Sequence, residues 1–417
     1  MIYGEEVLRT LAAEIGARPT GTEANEAANA YLEDTARELG YEVTALSFDC
    51  KRWEFGDSGV RAGGRRAAIH PGPFSAPLDR DLPVAMVATE EELRSRDVAG
   101  HLLVIRGELA GEPLMPRDFP FYFPDEHAEF LDLLSQKQPA AVLAMTGRHP
   151  LCGLSPFPLF EDGNLGIPNA YAQDPDGVLA AADRAHIQLD SASLLTTGRQ
   201  LVFSRPAGPA GSAVPLRSGR PPAPGHAGTE ARAGRLVVTA HVDTKYETPG
   251  ALDNAAGVAT LMAVMERLRD VELSLDVDFV PLNGEEHYEV SGQLAYLAHR
   301  PPSPDTTQLV VNLDGLGHRD SATAFSFYNF DSEVPGALSE PIEAAPRMTT
   351  GEQWYAGDHA VFAFRGIRCI AVTSSNLMEE VIRLTHTQQD TVELVDGDLL
   401  EETASVVAEI LTRFGRD

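Results

Sequence analysis

At 417 residues with a formal net charge of −29, the chain is too long for one ordinary core, and two domains are expected. The acidity excludes nucleic acid and anionic membranes as partners, because both would be repelled, and no apolar run nears the roughly 20 residues a bilayer span requires. Hydrophobic residues at 43% indicate a globular chain, and the scattered Cys50, Cys152 and Cys369 give neither a disulfide framework nor a Cys-rich metal knuckle. With no export signal in Met1 to Glu6, a cytoplasmic location is expected.

In chain order, residues 4–15 and 23–39 read as helices. Thr22 can cap the second, Gly40 ends it, and Ala27, Ala28, Tyr31, Leu32, Ala36 and Leu39 share one face. Tyr41 to Leu46 alternates as a strand does. From Lys51 to about His186 the texture is short strands and loops: strands are predicted at Val84–Ala88, Leu102–Ile105 and Ala140–Ala144, helices at Asp125–Gln136 and Asp176–Ala185. Arg205 to Arg235 is rich in Pro, Gly, Ala and Ser and reads as a flexible loop.

Strands and helices then alternate. Strands are predicted at Leu236–Ala240, Leu275–Pro281, Leu309–Leu313, Phe325–Tyr328 and Cys369–Val372. Helices are predicted at Ala255–Arg269, Gly292–Ala298, Pro335–Ala344, Asp358–Phe364 and Asp396–Phe414. Near-continuous apolar strands between helices imply an α/β fold, a mixed, mostly parallel sheet sandwiched by helices. Residues 1–50 and 198–417 would form that body, with 51–197 inserted as a β-rich domain.

Sites in such sheets gather beyond the carboxyl ends of strands, and His241, Glu285 and Asp314 each fall there. Zinc takes imidazole nitrogen and carboxylate oxygen, and a pair of ions needs one bridging carboxylate with separate terminal ligands. The chain offers such a set: His241 and Asp314 for one ion, Glu286 and His386 for the other, Asp253 between them. Asp243, two residues from His241, can accept the imidazole's second N–H. Glu285, beside Glu286, is free to serve as general base.

These motifs resemble the two-zinc aminopeptidase family of the aminopeptidase Y type. The likeness lies in His241-x-Asp243, Gly250-Ala251-x-Asp253-Asn254-Ala255-x-Gly257, Glu285-Glu286, Asn312-x-Asp314 and His386-x-x-x-Asp390-Thr391, with Arg18-Pro19-Thr20-Gly21-Thr22-Glu23 as the entry segment. Each motif alone is weak, but five in order are specific. The insert resembles a protease-associated domain through Asp97-Val98-Ala99-Gly100-His101-Leu102-Leu103-Val104 and Ile167-Pro168-Asn169-Ala170.

The resemblance implies a metallopeptidase hydrolysing the N-terminal bond of peptides with two Zn2+ ions, Co2+ or Mn2+ being able to substitute. A water shared by the ions would be deprotonated by Glu285, and a cis Asp253–Asn254 peptide is implied. It leaves the oligomeric state open. The family's tyrosine before the last histidine ligand is replaced by Thr385, for which Tyr246, Tyr288 or Tyr355 could substitute. After Glu286 the chain runs His287-Tyr288-Glu289-Val290-Ser291-Gly292-Gln293, unlike the family's usual turn.

Lesser candidates carry two readings each. Asp390 can partner His386 or cap a turn; Asp358, with His359, can contact substrate or cap a helix; His287 can line the pocket. His226 and His318 have no partner readable from sequence. Three other functions stand beside the aminopeptidase: a glutaminyl cyclase-like single-zinc acyltransferase, a carboxypeptidase relative, and a non-catalytic binding module of the same fold.

Overall fold

The helix after Thr22 forms because its caps and its face agree. In the computed structural model, which describes residues 3–111, 114–117, 119–121, 123–146, 163–172, 177–180, 182–207, 234–330 and 334–415, α1 (Tyr3–Arg9) continues into a π-helical turn. α2 (Glu23–Glu38) follows, where Thr22 accepts the Asn25 N–H at 3.2 Å and Ala28, Leu32 and Ala36 are buried. Gly40 leaves it at φ +84°.

β1 (Glu42–Phe55) runs well beyond the expected Leu46, because it pairs antiparallel with a later strand from Glu42 opposite Ser204 to Phe55 opposite Ser191. A closed barrel follows, made of β2 (Ser58–Ala62), β3 (Arg65–Pro71), β4 (Leu78–Val87), β5 (Leu102–Ile105), β6 (Ala141–Met145), β7 (Asn169–Ala172) and β8 (Arg184–Leu189), with α3 (Glu90–Ser95) and α4 (Asp125–Lys137) between strands. Among the described residues the helix expected over Asp176–Ala185 does not form: residues 177–180 are turn, and Arg184 opens a strand. Ala185, Ile187 and Leu189 are buried on alternate positions, and β8 closes the barrel between β2 and β4.

The larger sheet contains β1, β9 (Ser191–Arg205), β10 (Arg235–His241), β11 (Asp276–Leu282), β12 (Thr307–Leu313), β13 (Thr323–Tyr328), β14 (Met348–Thr350) and β15 (Cys369–Ser374). Its order is β1-β9-β11-β10-β12-β15-β13-β14, with β11, β10, β12 and β15 mutually parallel at the centre. Helices α5 (Ala256–Leu268), α6 (Ser291–His299), α7 (Gly336–Ala344), α8 (His359–Ala363), α9 (Ile382–Leu384) and α10 (Gly397–Phe414) complete the body.

Alternation along the strands divides the core. Leu236, Val238, Leu309, Val311, Ile370 and Val372 pack with α1, α2, α5, α7 and α10. Val237, Val310, Cys369 and Ala371 pack with Tyr296 of α6 and Val361 and Phe362 of α8. The sheet is therefore covered on both faces, which accounts for its uninterrupted apolar strands. The mixed α/β sandwich read from the sequence is the fold found.

The barrel meets the body through aromatic packing. Trp53, Phe74 and Tyr288 are buried together, with Phe55 and Tyr246 against them. The tract expected to be flexible, Arg205 to Arg235, falls largely outside the described residues, as do His226 and Cys152. No helix among the described residues is long and apolar enough to cross a membrane.

Candidate metal centre

β10 lies between β11 and β12, parallel to both, with His241 opposite Leu282 and Thr239 opposite Asn312. The carboxyl ends of these three strands therefore open side by side. They deliver His241 as the last residue of β10, Glu285 and Glu286 just after β11, and Asp314 just after β12. Asp253 arrives on the turn before α5, and His386 on the segment after α9.

Asp253 stands between the two imidazoles. Its Oδ1 is 2.9 Å from His241 Nε2 and its Oδ2 is 3.0 Å from His386 Nε2. His241 Nε2 also lies 3.5 Å from Asp314 Oδ1, and His386 Nε2 lies 2.7 Å from Glu286 Oε1. The Asp253–Asn254 peptide is cis, as the resemblance implied. His386 has φ +58°, a left-handed backbone that costs a residue with a Cβ about 1–2 kcal/mol. Gly250 also has positive φ, and a Cβ there would stand 2.3 Å from Thr244 Cγ2 and 2.5 Å from the Asp253 carbonyl.

The donor set fits divalent cations. His241, Asp253 and Asp314 offer ligand atoms within 4.8 Å of one another, as do Asp253, Glu286 and His386, and also His241, Glu285 and Glu286. Buried carboxylates outnumber the cations that could balance them. Burial raises the Glu285 carboxyl well above its usual range; His241 opposes this, while Glu286, Asp358 and Asp314 add to it. Burial likewise raises Asp314, with His241 opposing. For the histidines burial acts downward, yet Asp253 and Asp314 carry His241 well up, and Glu286 and Asp253 do the same for His386. Burial acts to raise Asp253, but the two imidazoles outweigh it and hold the group below the ordinary carboxylate range. Glu286 Oε1 is buried with no hydrogen-bond partner among the described residues, although His386 Nε2 is close. Among the described residues such a cluster is short of positive charge, and the imidazole-and-carboxylate donors are those zinc takes.

Several expected roles are corrected. The second nitrogen of His241 meets the backbone carbonyl of Asp243 at 3.0 Å, not its carboxylate, which is 3.8 Å away. The Asp243 carboxylate instead accepts from Glu285 N (3.2 Å), Glu286 N (3.1 Å) and Thr20 Oγ1 (2.8 Å), so it fixes the backbone of both glutamates. Asp243→Asn would turn an N–H toward those donors. Turnover is expected to fall roughly 10- to 100-fold with the metal retained, which kcat and metal content together will read.

Asp390 is not the partner of His386. It accepts the backbone N–H groups of Leu252 (2.7 Å) and Asp253 (3.1 Å) and so holds the bridging residue's turn. Burial raises it to about 7. Asp358 makes no helix-capping hydrogen bond. Its Oδ1 accepts from Gln293 Nε2, its Oδ2 is buried without a partner among the described residues, and burial raises it to about 7 against the pull of His241. His287 is not a pocket residue: it is buried against Phe74 and Tyr288, with Nε2 2.7 Å from the Lys51 carbonyl. His359 anchors the Trp354 carbonyl at 2.7 Å, and burial lowers it to about 4. His318 is buried beside Asn376.

The tyrosines proposed in place of the family's residue at Thr385 have partners elsewhere. Tyr246 accepts from Trp53 N at 2.6 Å, Tyr288 donates to Glu289 at 3.1 Å, and the exposed Tyr355 donates to Gln353 at 3.2 Å. Trp354 was not foreseen. Its Nε1 is buried without a partner among the described residues. A Cβ added at Gly357 would be 2.9 Å from its ring and 3.1 Å from Asp314 Oδ2, so the indole walls the Asp314 side. Lys245, Gln293 and the pair Thr20 and Asn283 were also missed. The one signal available was proximity in sequence, Lys245 lying two residues beyond Asp243.

Residues 225–411 match the family model described as Peptidase family M28. Among curated proteins, none matches the chain. The fold is similar to that of a zinc aminopeptidase from Bacillus subtilis, at TM-score 0.72 and 19% identity, covering 98% of this chain and 93% of that one. An aminopeptidase from Aneurinibacillus sp. strain AM-1 gives TM-score 0.70 and 16% identity, covering 98% and 92%. A peptidase M28 precursor from Shewanella amazonensis gives 0.67 and 15%, covering 99% and 92%. The resemblance read from the peptidase motifs is thereby borne out.

Proposed function

Because the chain carries a peptidase family M28 region on the fold of zinc aminopeptidases, we propose that it is an aminopeptidase that removes the N-terminal residue of peptides at a pair of zinc ions. The observation that carries this reading is the Asp253 carboxylate, which presents one oxygen to His241 and the other to His386. A carboxylate so placed can bridge two ions, each with its own imidazole. His241 and Asp314 would hold one ion, Glu286 and His386 the other.

Bound there, zinc would supply the Lewis acidity that lowers the pKa of water and polarises a carbonyl oxygen. The chain supplies the rest. Glu285 takes the proton from the attacking water as the new C–O bond forms, and returns it to the amine nitrogen as the C–N bond breaks. Asp243 keeps Glu285 and Glu286 in register through their backbone N–H groups. The six-membered ring of Trp354 walls the Asp314 side, and its Nε1 is a buried donor without a partner among the described residues. The surplus of carboxylates suits a substrate's free ammonium group, which would confine cleavage to chain ends.

The barrel reads as a protease-associated domain that covers one side of the cleft. A cavity of about 390 Å³ is lined by Arg117, Pro120 and Asn164 of the insert and by Tyr288, Glu289 and Leu294 of the body. At Gly163 an added Cβ would meet the Tyr288 hydroxyl at 2.3 Å. The insert thus presses on the segment that follows Glu286, where it would limit substrate size.

Metal content and hydrolysis of a panel of aminoacyl anilides test the reading together. Two ions per chain, cleavage of free aminoacyl anilides and none of their N-acetylated forms are expected. One ion per chain with cyclisation of N-terminal glutamine would point to the single-zinc acyltransferase instead.

A further inference from the structure

The two halves of the centre differ in one feature that the family motifs do not contain. Lys245, two residues beyond Asp243, reaches back to Glu286: its Nζ donates to the Glu286 carbonyl at 2.8 Å and lies 3.1 Å from Glu286 Oε2. Both side chains are largely withdrawn from solvent, at 13% and 4% exposure, so this ion pair is weakly screened. One oxygen of Glu286 is thus committed to an ammonium group, and the other, Oε1, is turned to His386.

The His241 half has the opposite balance. The ion-pair partner of Asp314 among the described residues is His241. Glu285 and Asp358 add negative charge around both. A divalent cation entering there meets carboxylates that form no ion pair with a lysine or arginine among the described residues.

We propose that Lys245 is a positioning residue that makes the two cation sites unequal: it holds Glu286 to a single coordinating oxygen and leaves the Glu286–His386 position the weaker of the two. Zinc then loads the His241–Asp253–Asp314 position first, and the second ion is the exchangeable one. The inference rests on the two-ion reading above and adds an order of occupancy. Removing the ammonium frees Glu286 Oε2 for the cation and takes away a fixed positive charge, and both changes strengthen that position.

The test is zinc titration of chelator-stripped full-length protein against a chromophoric chelator, which reads affinity without reference to activity. The unaltered chain is expected to bind two ions in steps separated by about tenfold or more, and Lys245→Met to tighten the weaker step roughly tenfold while leaving the stronger within about twofold. Lys245→Arg, which keeps the charge, is expected to restore the original spacing. His386→Ala should remove the weaker step and Asp314→Ala the stronger. A general loss of structure in Lys245→Met would weaken both steps, and that result overturns the inference. So does a pair of equal steps in the unaltered chain, a spacing that ignores Lys245, or loss of the weaker step in Asp314→Ala. Two ions with such a pattern would leave the peptidase reading intact; a chain that takes up one ion or none sinks both.

Discussion

Replacing Glu285 by Gln is expected to leave two zinc ions in place and lower kcat by roughly 10²- to 10⁴-fold, the range lost when a positioned general base is removed. Gln preserves the size of the side chain and its hydrogen-bonding reach but cannot take up a proton. The backbone N–H of residue 285 would still bond Asp243 Oδ1, so the loop should keep its path. The variant also separates two roles that geometry allows. Glu285 lies close enough to His241 and Glu286 to act as a metal ligand, yet it is only half-buried, whereas Glu286 is buried and paired with His386 and Lys245. A base at this position gives a metal-replete, inactive protein. A ligand gives a protein short of one ion, and full turnover in the variant would remove Glu285 from the chemistry altogether.

The strand ends carried the legible part of this site. His241, Glu286 and Asp314 each follow an apolar run whose length marks a strand, and parallel neighbours in one sheet must bring such ends together. Asp253 and His386 lie on turns, and there only the motif letters signalled them. What did not show was the work of carboxylates on distant backbone. Asp390 serves Leu252 and Asp253, and Asp243 serves Glu285 and Glu286. An acceptor for N–H groups more than forty residues away leaves no pattern in the chain, because every non-proline residue carries the same donor.

The misread strand has a related cause. Ala180 to Ala185 is rich in alanine and therefore in helix propensity. Strand β8 forms because Ile187 lies opposite Val60 on one side and Ala185 opposite Leu82 on the other, and closing the barrel outweighs local preference. β1 outran its expected end for the same reason: its partner β9 continues to Ser191. Lys245 was overlooked because a lone lysine two residues past a motif usually faces solvent.

The second large effect is expected at Arg18, which belongs to the entry segment of the resemblance but whose task emerged only in the fold. Its guanidinium is fully buried. Nε donates to the Val242 carbonyl at 2.7 Å, Nη1 to Pro249 at 2.7 Å, Gly16 at 3.1 Å and Leu11 at 3.3 Å, and Nη2 to Gly250 at 3.0 Å. Burial lowers it to about 10, with Asp390, Asp243 and Asp253 pulling the other way, so it is charged at neutral pH. One side chain thereby ties the first helices to the turn after His241 and to the turn before Asp253. Arg18→Met fills the space while stranding those carbonyls and leaving Asp390, Asp243 and Asp253 without their nearby cation. A loss of about 3–5 kcal/mol is expected, as when a buried charge loses its partners. Urea unfolding of the metal-free protein, monitored by far-UV circular dichroism, reads it as a lower midpoint at unchanged slope. Zinc affinity should fall as well, since both ligand-bearing turns lose a common anchor. Arg18→Lys, with three donors on one nitrogen in place of the planar fork, should recover part of the stability but not all. An unchanged midpoint in Arg18→Met would show that the turns are held by the sheet and by Asp390 alone, and that the buried guanidinium is not what sets the spacing between His241 and Asp253.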